Sequence, residues 1–248
     1  MELSSIIGPV LGIVAVIGTA IIKGLPIGAL WGGSALMIVG VGAVAAVTVA
    51  YPMKDLIFSI KSLGLFLKGP GVHPEETIEI IQRLAQIVRK DGVLALEKEV
   101  EKLDEPLLKK GIEMVSMNTD VALIEDSLHS EIEMLYEEEE VAAKFWEDMG
   151  AFAPTIGIMG AVLGLMVVML NLDNPAEIGP GIKTAFIATL YGVGLANLFA
   201  LPAGKKIKRM CHHKKTHREL VAAGVVGIAQ GVSPKLLVER LNSMTVGH

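Results

Sequence analysis

Four long apolar segments, separated by polar and amphipathic stretches, dominate the pattern of the chain. They cover residues 3–22, 30–50, 151–172 and 184–203. Each is close to the roughly 20 residues that a helix needs to cross the hydrocarbon of a bilayer. No stretch of useful length alternates between apolar and polar residues as a half-buried strand does. The pattern therefore predicts an all-α membrane protein whose four transmembrane helices form two hairpins.

The segment 51–150, between the two hairpins, has the pattern of amphipathic helices. It begins with a helix predicted to lie at the membrane surface, with an apolar face made of Leu56, Ile60, Leu63 and Leu67. The next helix starts near Pro74 and ends at Asp91-Gly92, with an apolar stripe of Ile81, Leu84 and Val88. Two short helices follow, the second with Pro106 in its first turn. From Thr119 an acidic amphipathic pattern then runs without a breaker into the third apolar segment.

Composition and charge support a membrane protein and predict its orientation in the membrane. The chain is 52% hydrophobic and 20% charged, with a mean hydropathy of +0.55, which is typical of a membrane protein. Lysines follow the second apolar segment, and seven of the fourteen residues in 205–218 are Lys or Arg. The positive-inside rule then places both termini in the cytoplasm. The predicted domains are a transmembrane hairpin at 1–50, a cytoplasmic domain at 51–150, a second hairpin at 151–203 and a basic helical tail at 204–248.

A stripe of small residues marks the third apolar segment. Gly157, Gly160 and Gly164 recur at spacings of three and four, so they share one face of a helix. Small residues let membrane helices approach closely, because lipid gives apolar side chains no hydrophobic drive to associate. Packing within one subunit and packing against another chain both account for the stripe.

A few polar or helix-breaking residues interrupt the last two apolar segments. Pro154 and Thr155 open the third segment, and Thr189 and Pro202 lie in the fourth. A proline leaves a carbonyl without its usual donor, which a membrane tolerates only where another group or water satisfies it. These residues are compatible either with simple helix entry points or with a hydrated ion path. None of the four segments contains an acidic residue, a histidine or an arginine. If an ion crosses here, another chain must supply the ionisable group.

The basic tail contains Cys211, His212, His213 and His217, which could form a metal site. Structural zinc sites usually have separated pairs of ligands, so a basic helix near anionic lipid headgroups is the favoured interpretation. The single cysteine excludes an internal disulfide. No nucleotide loop, nucleophile elbow or other catalytic constellation is present in the sequence. The prediction is therefore a protein that is not an enzyme, with no cofactor, no metal and no nucleic-acid partner.

Two blocks of sequence carry a family signature. One runs from Pro154-Thr155 through Ala-Thr-Leu-Tyr-Gly at 188–192 to Leu201-Pro202. The other is RLAQIVRKDGVLALEKEVE at 83–101. With the four-segment layout of the whole chain, they resemble the MotA family of flagellar-motor stator subunits. The first block is shared more loosely with ExbB and TolQ, which energise outer-membrane processes and typically have three spans.

The resemblance implies a specific assembly in the bacterial inner membrane. Five MotA-like chains surround two copies of MotB, whose single helix carries the ion-binding aspartate, and the ring pushes the rotor protein FliG. Pro154 and Pro202 match the two functional prolines of the family, and Thr189 matches the hydroxyl near the ion site. Thr155 would lie beside the ion route, and the glycine stripe would pack against neighbouring helices. Arg89 and Glu97 match the charged pair that contacts the rotor.

The transported ion and two alternative functions follow from the same resemblance. Ala161 and Ala188 stand where sodium-driven relatives carry threonines, which favours protons, with sodium as the alternative. An ExbB- or TolQ-like energiser is the second functional hypothesis. A self-sufficient channel is the third, and the lack of an ionisable residue in the four segments argues against it.

Overall fold

The computed structural model describes residues 3–245, and the regular structure of these residues is entirely helical. The helices are α1 (Ser4–Ile22), α2 (Gly33–Ala50), α3 (Met53–Lys61), α4 (Leu63–Lys68), α5 (Pro74–Asp91), α6 (Glu97–Val100), α7 (Pro106–Ser116), α8 (Val121–Leu170), α9 (Pro175–Leu195), α10 (Leu201–Ala229) and α11 (Pro234–Thr245). Short 3₁₀ turns cover Ile27–Leu30 and Val93–Leu96, and a π turn covers Ala196–Ala200. Four helical stretches within the described residues are long and apolar enough to cross a membrane. The predicted all-α membrane fold is confirmed.

The chain divides into two compact units, each built from segments that are distant in sequence. The membrane unit contains residues 3–69 and 139–210, and the polar unit contains residues 70–138 and 211–245. The membrane unit therefore includes the predicted surface helix, and the polar unit includes most of the predicted tail. This division differs from the four consecutive domains that the sequence suggests.

The third and fourth predicted spans are parts of longer helices. α8 begins at Val121, far ahead of the predicted span at 151, because the acidic amphipathic segment continues into the apolar one. α9 begins at Pro175, ahead of the predicted start at 184. Pro175 lies in the first turn, where no helical partner needs its missing N–H, and the Asn174 side chain accepts a hydrogen bond from the Ala176 N–H at 3.3 Å. Residues that suggest an external turn therefore begin a helix.

The side of the predicted surface helix that packs against the protein includes two serines. It is divided at Ser62 into α3 and α4, and its buried residues are Leu56, Ser59, Ser62 and Phe66. Ile60 and Leu67, predicted to share the apolar face, are 59% and 39% exposed. The Ser59 carbonyl accepts a hydrogen bond from the Trp146 indole at 3.1 Å, which turns the serine side inward. The lipid-facing stripe stays a prediction, since the protein buries the serine side of this helix and leaves Ile60 and Leu67 free to contact lipid.

A chain of aromatic rings joins Tyr51, which follows α2, to α4, α8 and the π turn. Tyr51 contacts Phe145 at 5.6 Å between ring centroids, and Phe145 contacts Trp146 at 5.3 Å. The ring centroid of Phe199 lies 5.6 Å from that of Trp146 and 6.3 Å from that of Phe66. All four contacts are edge-to-face, the arrangement that the ring quadrupole favours. These contacts fix the end of the membrane unit where α8 and α10 enter it.

The two units are stabilised by different kinds of core. The core of the polar unit consists of large branched side chains, including Ile81, Leu84, Leu96, Leu108, Ile112, Leu128, Leu237 and Leu241. Each of these contributes about 1.5–3 kcal/mol when fully removed from water. The predicted stripe of α5 is confirmed, since Ile81 and Leu84 are fully buried and Val88 packs against the cluster. The core between α2 and α9 is instead small, with Ala35, Ile187 and Ala188. It depends on close van der Waals contact, because lipid is as apolar as the side chains.

Candidate functional site

The glycine stripe of α8 packs against α9 of the same chain. We call this contact the glycine seam; its residues are Gly157, Gly160 and Gly164 of α8 with Gly181 and Gly192 of α9. A Cβ atom at Gly157 would lie 2.9 Å from a carbonyl oxygen of α9, and one at Gly164 would lie 2.8 Å from a backbone nitrogen. A Cβ at Gly192 would lie 2.6 Å from a carbonyl oxygen of α8. Backbone atoms cannot move aside as a flexible side chain can, so only glycine fits these positions.

Pro154 and Thr189, both predicted to lie near an ion path, flank this seam from opposite helices. The Pro154 Cα would be 3.2 Å from a Cβ at Gly192, and the Thr189 Cα would be 3.5 Å from a Cβ at Gly157. Pro154 lies inside the continuous helix α8 and does not start it. The structure therefore brings these two predicted residues together on one helix pair.

Thr155 and Pro202 lie elsewhere. Thr155 is two residues from both Ala153 and Gly157, which puts it on the side of α8 opposite to the seam. It is exposed, and its Oγ1 donates to the Phe152 carbonyl at 2.7 Å. Leu201, the residue before Pro202, packs against Gly150 of α8. A Cβ atom at Gly150 would be 2.6 Å from the Leu201 Cγ. Gly150 is about one helical turn from Pro154 along α8, so the two prolines are not level with each other.

The threonine hydroxyls of α9 are hydrogen-bond acceptors that do not titrate. Thr189 Oγ1 donates to the Ala185 carbonyl at 3.2 Å, and Thr184 Oγ1 donates to the Pro180 carbonyl at 3.0 Å. Because each hydroxyl proton is used within its own helix, the lone pairs of the oxygen are left to accept a hydrogen bond. No acidic, basic or histidine side chain occurs in residues 151–170 or 184–203. The seam can accept a hydrogen bond from an acidic group, but it contains no acidic, basic or histidine side chain of its own.

A π turn in the fourth membrane helix was not predicted from the sequence. It covers Ala196–Ala200, between the level of the seam and Pro202, and Asn197 Nδ2 donates to the Val193 carbonyl at 3.0 Å. Pro202 has no N–H for the carbonyl four residues earlier, so a wider turn before it avoids an unmet regular bond. Single π turns are frequent at functional sites. The sequence signal for this π turn is Asn197 in an apolar helix with Pro202 five residues later.

The contacts of Tyr191 were also not predicted from the sequence. Its hydroxyl donates to the Leu30 carbonyl at 2.7 Å and accepts from the Gly32 N–H at 3.3 Å. The residue thus attaches the connection between α1 and α2 to α9. This contact joins the hairpin of α1 and α2 to α9.

In the polar unit, Arg89 and Glu97 lie on either side of a 3₁₀ turn that the buried Leu96 anchors. Arg89 is in the last turn of α5, which ends where Gly92 adopts a φ of 86°. Glu97 begins α6, after a 3₁₀ turn whose Leu96 is fully buried. Both charged side chains are exposed, and neither forms an ion pair with another described residue. The anchored turn presents the pair at the surface, together with the 73% exposed Leu94.

The histidines and cysteine of the basic tail do not form a metal site in the described part of the chain. Cys211 is buried, and His217 lies 3.0 Å from Thr77 through Nε2 and 3.5 Å from Glu105 through Nδ1. Burial lowers the pKa of His217, and the neighbouring Arg218 adds to this. Burial raises the pKa of Glu105, which Arg218 partly opposes. The predicted tail is therefore part of a packed core, where Leu220 and Val225 of α10 are also buried.

Sequence comparison relates the chain to one family of membrane proteins. The model of the MotA/TolQ/ExbB proton channel family matches residues 99–220. Motility protein A from Bacillus subtilis (strain 168) is 31% identical over 246 residues, covering 97% of this chain and 90% of that protein.

Solved structures are similar over nearly the whole chain. The structure of C. jejuni MotAB matches with a TM-score of 0.93 at 30% identity, covering 98% of this chain and 96% of that one. The flagellar MotAB stator complex from Bacillus subtilis matches with a TM-score of 0.87 at 30% identity, covering 95% and 92%. With this sequence and structural likeness over almost its full length, the chain belongs to the MotA/TolQ/ExbB proton channel family.

Proposed function

We propose that this chain is a stator subunit of the bacterial flagellar motor, which acts with MotB to convert transmembrane ion flow into torque on the rotor protein FliG. The observation that carries the proposal is the similarity to a flagellar MotAB stator complex over 95% of the chain. The similarity to Motility protein A covers 97% of the chain, so it includes the initial hairpin. Such coverage favours the motor over an ExbB- or TolQ-like energiser.

The glycine seam supports a division of labour between two chains. MotB supplies the aspartate, and this chain supplies hydroxyl and carbonyl acceptors beside it. A charged residue at the centre of a membrane helix costs roughly 2.5–3.5 kcal/mol on the insertion scale, so its surroundings must hydrate it or hydrogen-bond it. The oxygen of Thr189 has lone pairs free to accept a hydrogen bond from the protonated aspartate or from water.

Pro154 links this chemistry to movement. Its backbone touches the seam, and its ring removes one hydrogen bond from α8. A helix weakened at this point can bend at low cost when the nearby carboxylate gains or loses charge. Each elementary charge that crosses the membrane delivers about 2.3 kcal/mol per 100 mV, so the coupled movement must be small and inexpensive.

The assembly follows from the same proposal. Five copies surround two MotB helices in the inner membrane, with both termini in the cytoplasm. The lysines after α2 and the basic start of α10 favour this orientation, since cytoplasmic flanks of membrane helices are rich in Lys and Arg. Arg89 and Glu97 then face the rotor, and their exposure without an ion-pair partner suits contact with a charged surface.

We assign protons as the transported ion. Sodium requires several oxygen ligands, whereas a proton requires only an acid and water. Ala188 is fully buried in the seam, where its Cβ would be 2.7 Å from a Cβ at Gly160, and Ala161 also lacks an oxygen. Thr189 and Thr184 are hydroxyl residues beside the seam.

Ion flux in vesicles tests the proposal. Vesicles that contain this chain alone should have proton and sodium permeability near background, because the four membrane segments have no titratable relay. Addition of MotB should produce proton flux, and MotB with its membrane aspartate changed to asparagine should not. A robust current from this chain alone would make it a self-sufficient channel and contradict the proposal.

A further inference from the structure

A large apolar groove lies in the membrane unit between the two helices of the first hairpin. Its volume is about 850 Å³. One wall is the face of α1 from Pro9 to Ile17, and the other is the start of α2 with Leu36 and Gly40. α9 and the π turn form the floor, and the connection between α1 and α2, with Trp31, forms one end. The two helices are therefore separated by a space that the chain itself does not fill.

Glycines on three sides of the groove keep this space open. Gly28 of the connection, Gly40 of α2 and Gly194 of α9 all line it. A Cβ at any of the three would project into open space, with no packing contact within 4 Å. The glycines of the seam, by contrast, face the backbone of a neighbouring helix. Because glycine is less favourable than alanine in a helix, packing within this chain does not account for Gly40 and Gly194.

The surface of the groove is apolar although Tyr191 lines it. The Tyr191 hydroxyl donates to the Leu30 carbonyl at 2.7 Å and accepts from the Gly32 N–H at 3.3 Å. Since the backbone of the connection uses both functions of the hydroxyl, the ring carbons are left to face the groove. No charged side chain is among the described residues that line it. Water needs polar partners to occupy such a space, so a hydrocarbon suits it better.

The length of the groove matches one leaflet of a bilayer. The wall from Pro9 to Ile17 extends for about 12 Å along α1, and the floor from Leu190 to Phe199 extends for about 13 Å. The hydrocarbon core of a bilayer is about 30 Å thick, so one leaflet contributes about 15 Å. An acyl chain that enters beside the connection therefore fits the groove along most of its length.

A lysine and a tryptophan mark the end of the groove that the connection forms. Lys23 is exposed, is the only charged residue in 3–53, and forms no ion pair or side-chain hydrogen bond with another described residue. It precedes Ile27, which lines the groove, by four residues. Trp31 is 68% exposed, and tryptophan is enriched at the level of the lipid headgroups. An ammonium group at that level is complementary in charge to the phosphate of a phospholipid.

We propose that the groove binds an acyl chain of a phospholipid, from the leaflet on the side of the connection between α1 and α2, with Lys23 against its phosphate. The acyl chain supplies the van der Waals contacts that the open walls lack, and such contacts hold membrane helices together. The bound lipid thus packs the first hairpin against α9. The inference depends on the four membrane helices and not on the proposed motor function.

Lipid retention by the full-length protein tests this assignment. The delipidated protein in detergent is given phosphatidylglycerol, and the bound lipid is counted by native mass spectrometry. Gly194→Leu should retain about tenfold less lipid than the parent, because the new side chain fills the groove that the acyl chain would occupy. Gly8→Leu is the matched control, since Gly8 is an exposed membrane-helix glycine with open space around it that does not line the groove. It should retain as much lipid as the parent.

A second comparison tests the part of Lys23. Lys23→Gln should retain about fivefold less phosphatidylglycerol than the parent, because one cation near the phosphate is lost. Diacylglycerol has the same acyl chains without the phosphate, so Lys23→Gln and the parent should retain it equally. Equal retention of phosphatidylglycerol by the two proteins would show that Lys23 does not hold the phosphate.

Other results would overturn the inference. Equal lipid retention by Gly194→Leu and the parent would show that lipid binds outside the groove. A smaller oligomer for Gly194→Leu with unchanged lipid would identify the groove as a contact with a second copy of this chain. Should Gly194→Leu fail to insert, Gly40→Leu fills the groove from its other side and must still lower lipid retention.

Discussion

At the scale of single residues, the glycine seam depends on the absence of side chains. Gly157 and Gly164 face backbone atoms of α9, whereas Gly40 of α2 has open space where its Cβ would be. Glycine in a helix costs up to about 1 kcal/mol relative to alanine, so a helix keeps it where something else compensates. At the seam, that compensation is the contact between two backbones in a medium without a hydrophobic drive.

Gly157→Ala should destabilise the membrane unit although it improves helix propensity. The new methyl group would meet a carbonyl oxygen at 2.9 Å, and overpacking of this kind costs about 1–3 kcal/mol. Gly40→Ala is the control and should be neutral or slightly stabilising. Thermal unfolding of the purified protein in detergent measures both variants. Equal midpoints for the two would show that α8 and α9 separate without cost.

At the scale of secondary-structure elements, α8 combines an apolar half with a proline in mid-helix. Pro154 removes one hydrogen bond from a helix of 50 residues that is otherwise continuous. The Cβ of Pro154 is also present in alanine, so packing against Gly192 survives replacement of the ring. The proline is therefore a test of helix flexibility separate from packing.

Pro154→Ala should insert and assemble normally and yet lose most torque, because the restored hydrogen bond stiffens α8 beside the ion path. Pro9→Ala in α1 is the control, since Pro9 also lies within a membrane helix but away from the seam. Membrane-inserted oligomer and swimming speed are quantified together for both. Normal swimming by Pro154→Ala would mean that the proline is only a local feature of the helix. Failure of Pro154→Ala to insert would show that Pro154 has a structural role.

The buried end of α10 should make the stability of the polar unit depend on pH. Burial lowers the pKa of His217 below the value of about 6.5 that histidine has in an unfolded chain. Stability from the neutral ring is therefore complete above about pH 6.5 and decreases as pH falls towards the folded pKa. The raised pKa of Glu105 acts in the opposite sense: its contribution is complete below about pH 4.5 and is lost as pH rises.

His217→Gln should reduce the loss of thermal stability between about pH 7.5 and 5.5, because glutamine can keep a hydrogen bond near Thr77 without taking up a proton. His212→Gln, on the exposed side of the same helix, should leave the pH dependence as it is. Unfolding midpoints of the full-length protein at several pH values provide the comparison. Identical pH profiles for the two variants would exclude His217 as the source.

At the scale of the whole molecule, the chain separates two tasks into two compact units. The membrane unit has small-residue contacts and acceptors without charge, and the polar unit has a large apolar core with exposed charges around it. The first suits contact with lipid and with a partner helix, and the second suits a charged protein surface. Neither unit by itself combines the parts that ion-driven torque requires.

Motility should follow the proton gradient and not the sodium gradient. Ala161 and Ala188 provide no oxygen ligands, so the path offers too few to replace the water around sodium. Swimming speed should be unchanged when sodium in the medium is replaced by potassium, and it should stop when an uncoupler is added. Speed that rises with sodium and resists the uncoupler would reverse the assignment.

Local features of the fold could be predicted from the sequence alone. The ends of α5 at Pro74 and Gly92 follow from backbone chemistry, because proline suits a first turn and glycine adopts a positive φ. The burial of Ile81 and Leu84 follows from their spacing, because water surrounds the polar side of that helix. The close packing of the glycine stripe follows from residue size. In each case the sequence signal lies within a few residues along the chain, even where the contact that it predicts is distant.

Only the tertiary structure decided which faces and side chains meet. In the membrane unit, hydropathy does not distinguish a side chain that faces lipid from one that faces protein, so Ile60 is exposed while Ser59 is buried. Lys235 and Arg89 line one groove, and His217 lies beside Thr77, although long stretches of sequence separate each pair. Such contacts depend on how distant helices pack, and no local pattern encodes them. The sequence by itself determined the helices and their family, and the packing of those helices determined the seam, the buried histidine and the groove between α5 and α11.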